Sequence, residues 1–343
     1  MPRVYHFVRM YSTKCSQTPW SRCCSDAIIC ASFLVTLHMK LHHLRDFLAI
    51  VDRGSISAAA KFLGIAQPSL SRSIRELEKE LGVPLVERQA RGAVLTEMGV
   101  LFARRARLAV NELQKGRDEL TQGGGQTHGT VSACLSSVAL VTLLTEALSP
   151  FRTRYPFVKL NLMEGVYPLI ESRLKDGTLD VYVGAAPDTN VPHELAIERL
   201  FHPPRAVLAR RGHPLEEATS LAQLLDADWL TTSITDRSES EFGAVFERHG
   251  LQAPRLSMRT SSALASLTAL INSDVLTITS QTLVDMPPYD KLVSVIPVKE
   301  VLSSPPIVLV HRAAVPPTPA AEYFCDMIRR VAVKQDRHYP SRL

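Results

Sequence analysis

Gln67-Pro68-Ser69-Leu70-Ser71-Arg72-Ser73-Ile74-Arg75-Glu76-Leu77-Glu78 reads as one helix, and its setting decides the fold. Leu70, Ile74, Leu77 and Leu81 recur at steps of three and four, which puts them on a single face. Pro68 falls in the first turn, where a missing N–H costs nothing, and Gly82 closes the far end. Upstream, Leu44, Phe47, Leu48 and Val51 mark a helix from Leu41 that Gly54 ends. Its neighbouring His42 and His43 point to different sides and are expected on the surface. Ser55 to Gly64 holds a second, shorter helix, with Ser57 its expected N-cap. Gly64-Ile65-Ala66 makes the tight turn into the third. Downstream, Val83 to Glu87 and Ala93 to Leu95 read as short strands around the basic tip Arg88-Gln89-Ala90-Arg91-Gly92.

Three helices and a wing make a winged helix-turn-helix, whose third helix enters the DNA major groove with its N-terminal residues toward the base edges. Those residues are Gln67, Pro68, Ser69, Ser71, Arg72 and Arg75. Arginine bridges guanine O6 and N7, and glutamine pairs with adenine. Ser69 and Ser71 suit phosphate contacts, which fix position without reading sequence. Arg91, at the wing tip, suits the minor groove. For Arg75 an ion pair with a neighbouring glutamate fits the spacing equally well.

Thr96 is placed to cap a long helix from Glu97 to about Gln122. Within it Phe102, Ala106, Ala109, Leu113, Gly116 and Leu120 alternate steps of four and three, a heptad seam suited to a dimerising linker. Gly123-Gly124-Gly125 follows, and beyond Gly129 the pattern becomes strand, helix, strand. Helices are expected over about Ala139 to Tyr155 and Tyr167 to Asp176 in the first set, and Glu241 to His249 in the second. Such alternation argues open α/β sheets with parallel strands, and the length suits two lobes.

Bulk composition agrees. The chain has 343 residues, 45% hydrophobic and 21% charged, as globular proteins do. Residues 1–38 carry four Lys/Arg against one Asp, residues 39–121 carry 14 against 10, and the remainder 21 against 23. The basic excess therefore sits in the first third, where a nucleic-acid-binding unit needs it. Of six cysteines, Cys15, Cys23, Cys24 and Cys30 precede Met39, leaving Cys134 and Cys325 in the body. No CxxC or Cys/His spacing offers a metal site, so no metal and no cofactor are expected, and a reducing, cytoplasmic setting is the natural reading.

Together these motifs make a family resemblance specific. Phe47-Leu48-Ala49-Ile50-Val51-Asp52-Arg53-Gly54-Ser55-Ile56-Ser57-Ala58-Ala59-Ala60, the Gln67–Glu78 run, Leu81-Gly82, Leu85-Val86-Glu87-Arg88 and Leu95-Thr96-Glu97-Met98-Gly99 resemble the LysR-type transcriptional regulators. The likeness runs from about Met39 to the final helix. It implies DNA contacts by Gln67, Pro68, Ser71 and Arg72, with Arg91 in the wing. One departure is Ala66, where the family often has a serine that caps the recognition helix; a lost cap costs ~1 kcal/mol.

The resemblance also implies a two-lobed α/β effector domain like the periplasmic binding proteins, with a small molecule between the lobes and crossing strands near Phe201–Ala206 and Ser303–Ile307. Open α/β sheets bind ligands beyond the carboxyl ends of their strands, which agrees. Ser136 and Ser137, Thr232, and Thr260 stand at such strand-to-helix junctions, and Tyr167 is a further candidate for lining the cleft. Each hydroxyl has the alternative role of a helix cap or turn. Met163–Pro168 and Leu174–Asp180 resemble a subgroup that includes regulators responding to sugars and to aryl sulfonates, which does not by itself choose a ligand. The effector stays open, with a small organic anion or a sugar as candidates. The expected partners are an operator duplex, that effector, and further copies of the chain as homodimer or homotetramer, with no membrane.

The expected division is an extension over 1–38, a DNA-binding domain over 39–96, a linker helix over 97–122, and an effector domain over 129–343. Lobe I takes about 129–202 and 304–343, lobe II about 203–303. Two rival classes fit the sequence less well. An enzyme would need a nucleophile or cofactor motif, and no GxSxG, HExxH, P-loop or GxGxxG occurs. A secreted binding protein would use Ala27–Val35 as its signal core, but would have no use for a winged helix-turn-helix. Met39-Lys40-Leu41 resembles the usual start of such regulators, so residues 1–38 read as lying outside the fold. A chain beginning at Met39 is expected to keep its DNA binding and solubility; loss of folding, seen by circular dichroism, would refute that reading.

Overall fold

The computed structural model describes residues 39–89, 92–125, 127–167, 169–187, 191–231, 236–284 and 289–338. The expectations for residues 1–38, Arg91 and Thr232 fall outside them. The chain divides at Val100/Leu101 into two compact units.

In the first unit, α1 (Leu41–Arg53), α2 (Ile56–Leu63) and α3 (Gln67–Leu81) form the helical trio. Each ends on a glycine in the left-handed region, Gly54, Gly64 and Gly82, where a side chain would be strained. Phe47, Leu48 and Ile50 of α1 are buried, as are Leu70, Ile74 and Leu77 of α3 and Leu85 beyond it. The cap of α2 is Ser55, not Ser57: the Ser55 hydroxyl accepts the Ala58 N–H at 3.1 Å. A cap must sit one residue before the helix in extended conformation, which Ser55 does. His43 is buried rather than on the surface, 3.4 Å from Glu76 of α3, because α1 turns that side toward the recognition helix.

The wing is β1 (Val86–Gln89) paired antiparallel with β2 (Gly92–Leu95). Two polar anchors hold it. Glu78 of α3 accepts the N–H groups of Leu85 and Val86 at 2.8 and 3.1 Å. Thr96 donates its hydroxyl proton to the Pro84 carbonyl and accepts the Gly99 N–H, so it caps α4 (Glu97–Gly123) as expected.

In the second unit, two five-stranded sheets carry the two α/β lobes foreseen in the sequence. Lobe I orders its strands β4-β3-β5-β12-β6: β3 (Gly129–Leu135), β4 (Val158–Glu164), β5 (Val181–Ala185), β6 (Leu195–Phe201) and β12 (Ile307–Arg312). Its helices are α5 (Ser137–Ala139), continued by a π-helical stretch (Leu140–Leu144) into α6 (Thr145–Arg154), then α7 (Glu171–Lys175) and α10 (Pro319–His338). Alternation sorts the side chains. Val131, Ala133, Val183 and Leu309 face the core with Phe151 and Phe324, while Cys134, Tyr182 and Val310 face a second core under α7.

Lobe II orders β11-β7-β10-β8-β9: β7 (Arg205–Arg210), β8 (Trp229–Thr231), β9 (Leu256–Arg259), β10 (Leu276–Ser280) and β11 (Val293–Ile296). Trp229 is fully buried against Phe242 and Phe246 of α8 (Asp236–Glu247), and its indole N–H reaches the Leu224 carbonyl at 3.1 Å. The remaining helix, α9 (Ala263–Asn272), follows β9.

The sheets are mixed rather than all parallel. β3 is parallel to β4 and β5, and β8 to β9 and β10, but β12 and β7 run antiparallel to their neighbours. The chain crosses between lobes twice, so the strand that follows each crossing enters its sheet from the opposite end. Helix α7 is only five residues long, against the expected span of Tyr167 to Asp176.

Gly99 sits where an added Cβ would lie 2.1 Å from the Leu85 carbonyl oxygen. Gly99→Ala is therefore expected to destabilise the first unit by ~1–3 kcal/mol through overpacking against backbone. Urea unfolding followed by circular dichroism measures this, and an unchanged midpoint would contradict the close approach.

Candidate nucleic-acid interface and inter-lobe site

Helix α3 presents its first two turns to solvent. Gln67, Pro68, Ser69, Arg72 and Arg75 are all exposed. Ser71 is not: it is 7% exposed, on the inward side beside Leu70 and Ile74. Helical spacing explains the difference, since position 71 lies about 100° from 70 and 60° from 74, next to the buried stripe. The Arg75 Nε–H donates to the Ser71 carbonyl at 3.1 Å, a bond to its own helix rather than to a glutamate. Ala66 forms no side-chain cap, but the Ser69 and Leu70 N–H groups both return to the Ala66 carbonyl and Pro68 has no N–H. The missing serine thus leaves little unsatisfied at this end.

The long helix α4 has two unlike faces. Ala109, Leu113 and Leu120 of the expected seam are exposed, Leu113 by 59% and Leu120 by 81%. Phe102 is half-buried, and Ala106 is already buried within the single chain. The opposite face carries Asn111, Glu112, Lys115, Asp118 and Gln122, none of which the sequence reading picked out. These hold lobe I: Lys115 meets Asp180 at 2.7 Å, Glu112 meets Arg312 at 2.5 Å, and Asn111 donates to the Asp176 carbonyl at 2.9 Å. The signal was present as polar residues at 111, 115, 118 and 122, a polar heptad offset from the apolar one.

At the carboxyl ends of the strands the expected hydroxyls are found already engaged. The Ser136 Oγ accepts the Ala139 N–H as the cap of α5, and its backbone N–H donates to the Val183 carbonyl. Ser137 is half-buried beside it. In lobe II the Thr260 Oγ1 accepts the Ser262 N–H, and the Thr260 N–H donates to the Thr231 carbonyl. Tyr167 donates its hydroxyl proton to Glu171 at 2.5 Å. Burial first, and then that carboxylate, push its ionisation well above the ordinary tyrosine range, so it stays a neutral phenol. The structure thus brings Ser136 to Ser137 within lobe I and Thr260 to the end of β8 within lobe II. A depression of about 670 Å³ lies along α9 from Ser262 to Ser273. It belongs to one lobe's surface and not to the space between the two.

The lobes are braced where the chain crosses. Arg205 donates to the Ser303 carbonyl at 3.2 Å, Ser304 to the Pro203 carbonyl at 2.6 Å, and the Ala186 N–H to the Pro306 carbonyl at 2.8 Å. Burial lowers the Arg205 pKa, opposed by the nearby Glu241. The two described thiols are inert: burial raises Cys134 to about 11 and Cys325 to about 12, so neither offers a thiolate. No group of three or more potential metal ligands occurs among the described residues, and no described helix is long and apolar enough to cross a membrane.

Residues 41–100 match the family described as "Bacterial regulatory helix-turn-helix protein, lysR family". Residues 124–333 match "LysR substrate binding domain". The chain is similar to the HTH-type transcriptional regulator GbpR of Rhizobium radiobacter, 29% identical over 245 residues, covering 69% of this chain and 80% of the relative. It is likewise similar to TdcA of Escherichia coli (strain K12), 26% identical over 239 residues, covering 70% and 76%. Among solved structures, that of CbnR, a LysR family transcriptional regulator, superposes with a TM-score of 0.64 at 21% identity, covering 86% of this chain and 99% of CbnR. Full-length CbnR complexed with its target DNA gives 0.63, also at 21%, covering 85% and 100%.

Proposed function

The chain belongs to the LysR family of bacterial regulatory helix-turn-helix proteins, and from that premise we propose that α3 reads an operator under control of a small molecule held between the lobes. The family is one of regulators, which removes the enzyme reading. What carries the proposal is the exposure of Gln67, Ser69 and Arg72 together on the first two turns of α3, ahead of a wing anchored to the same helix. Arg72 is the base reader, bidentate to guanine, and Gln67 pairs with adenine. Pro68 packs on the backbone, Ser69 takes a phosphate, and Arg75 adds charge. Arg91 extends the footprint from the wing. The solved complex of full-length CbnR with its target DNA supports this use of the shared fold.

The inter-lobe reading rests on the junctions at Ser136–Ser137 and Thr260, where backbone N–H groups and hydroxyls stand at strand ends, with Thr232 a candidate from the sequence alone. A small organic anion or a sugar suits such donors. Tyr167 serves as a wall there rather than a donor, its proton being committed to Glu171. DNA as the target sets the chain in the cytoplasm. The stripe Ala109, Leu113 and Leu120, continued by Phe102, is the proposed seam of a homodimer or homotetramer; Ala106 supports it from behind.

Arg72→Ala is expected to weaken operator binding by ~1–3 kcal/mol while sparing non-specific binding, whereas Ser69→Ala lowers affinity for all sequences alike. Titration of operator and scrambled duplexes at two salt concentrations separates the two, since phosphate binding falls with salt. Equal weakening of both duplexes by Arg72→Ala would make Arg72 a phosphate contact. Leu113→Asp puts a charge into the apolar stripe and should shift the protein toward monomer. Sedimentation that shows an unchanged oligomer would remove this stripe as the dimer contact.

A further inference from the structure

The polar face of α4 grips one strand of lobe I at its base. Lys115 Nζ lies 2.7 Å from Asp180 Oδ1, and the side chains are only 19% and 7% exposed. The other oxygen, Asp180 Oδ2, accepts the Ser132 N–H of β3 at 2.7 Å, while the Asp180 N–H donates to the Ser132 carbonyl at 2.8 Å. One turn along α4, Asp118 accepts the Thr130 N–H at 3.1 Å and is steadied by Gln114. The Gln122 side chain donates to the His128 carbonyl and accepts the Ala320 N–H at the start of α10. Three of these attachments thus converge on the first residues of β3 and the segment that leads into it.

Strand β3 is a stiff member. It is hydrogen-bonded to β4 along its whole length and to β5 over its second half. About 20 Å from Thr130 and about 13 Å from Ser132, at the ordinary rise of a strand, it delivers Ser136 and Ser137 to the inter-lobe junction. A shift at one end therefore cannot be absorbed within the strand. The attachments are polar, and in a largely buried ion pair the cost of desolvation offsets most of the Coulomb gain, so this contact can open without exposing an apolar core. The glycine run Gly123–Gly125, with Gly125 at φ +84°, supplies a place to turn.

We propose that Lys115 and Asp180 are positioning residues that couple the inter-lobe site to the linker helix, with the α4–β3 contact as the element that has two arrangements. This rests on the DNA-reading function proposed above. Coupling between sites is reciprocal, so a duplex bound by the first unit must be felt at Ser136. That allows a test with DNA as the only ligand.

The test takes the full-length chain, a duplex selected by it from a random pool, and a scrambled duplex as control. Hydrogen exchange is followed by mass spectrometry on peptides covering 129–139. The selected duplex is expected to change exchange at 135–139 by about threefold or more in the wild type, with no such change from the scrambled one. Lys115→Gln should keep duplex affinity within about threefold and lose that response, whereas Lys115→Arg should keep both. Asp180→Asn, which retains an oxygen for the Ser132 N–H, should lose the response as well and serves if Lys115→Gln proves unstable. A response that survives in a folded Lys115→Gln or Asp180→Asn protein overturns the coupling. So does a wild type that binds the selected duplex tightly without any change at 135–139, an outcome that leaves DNA reading intact. Failure of the wild type to select any duplex would instead overturn the function itself, and the coupling with it.

Discussion

The carboxylate of Asp180 joins three segments that are far apart in sequence: the linker helix through Lys115, strand β3 through the Ser132 N–H, and strand β5, which begins one residue later. Much of the second unit depends on that junction. A helix of 27 residues, some 40 Å long, gains little from its own backbone and needs a surface to lie on. Lobe I gives α4 such a surface through side-chain hydrogen bonds and ion pairs, because the helix's apolar residues at 109, 113 and 120 point the other way. The left-handed turn at Gly177, φ +73°, brings Asp176 and Asp180 together under the helix, and a Cβ there would be strained by the backbone while meeting Asn111, Glu112 and Arg312 at 3.4 Å. The segment Leu174–Asp180, which by resemblance suggested a ligand-related subgroup, is thus used in this chain to seat the linker.

What was legible in the sequence was legible for periodic reasons. The trio of helices and their glycine stops came through because a short, tightly turned unit has no room to depart from local preference. The failures are equally physical. His43 was assigned to the surface because two adjacent histidines on a helix carry no sign of which one another element packs over. β6 went unseen because Leu195–Phe201 is a strand at the sheet's edge with Ile197 47% exposed, which breaks the alternation that marks a half-buried strand. Strand direction was misjudged because alternation of strands and helices reports the parallel core of each sheet and is silent on strands that enter after a lobe crossing.

The two candidate sites differ in how their residues are spent. Gln67, Ser69 and Arg72 are exposed, and the first-turn amides of α3 are already returned to Ala66, so these side chains are free to face a groove. At the inter-lobe junctions the reverse holds. Ser136 caps α5, Thr260 closes a turn, and Tyr167 is held by Glu171, as short polar side chains near a chain end tend to be. Sequence reading could pick these residues as donors at strand ends but had no means of seeing that the backbone had claimed them first. The Ser136 hydroxyl accepts in its cap and keeps its own proton to donate, whereas a ligand that takes the Thr260 or Tyr167 proton competes with a local bond.

Ligand binding there bears on how a signal leaves the site. If a ligand that takes the Ser136 proton also draws the hydroxyl from its cap, the start of α5 loosens from β3, and the strand is the part that stays rigid. Its base is held by Asp118 and by Lys115 acting through Asp180, and the lobe crossings are cross-braced by Arg205, Ser304 and Ala186. Movement is then confined to two places, the braced crossings and the polar bed of α4, since the cores around Phe324 and Trp229 are fully packed and yield only as units. Of the two, only the bed of α4 connects to a helix that runs unbroken back to Glu97, beside the wing. An apolar bed would have fused linker and lobe into one core. A bed of ion pairs holds them in register and still lets them part.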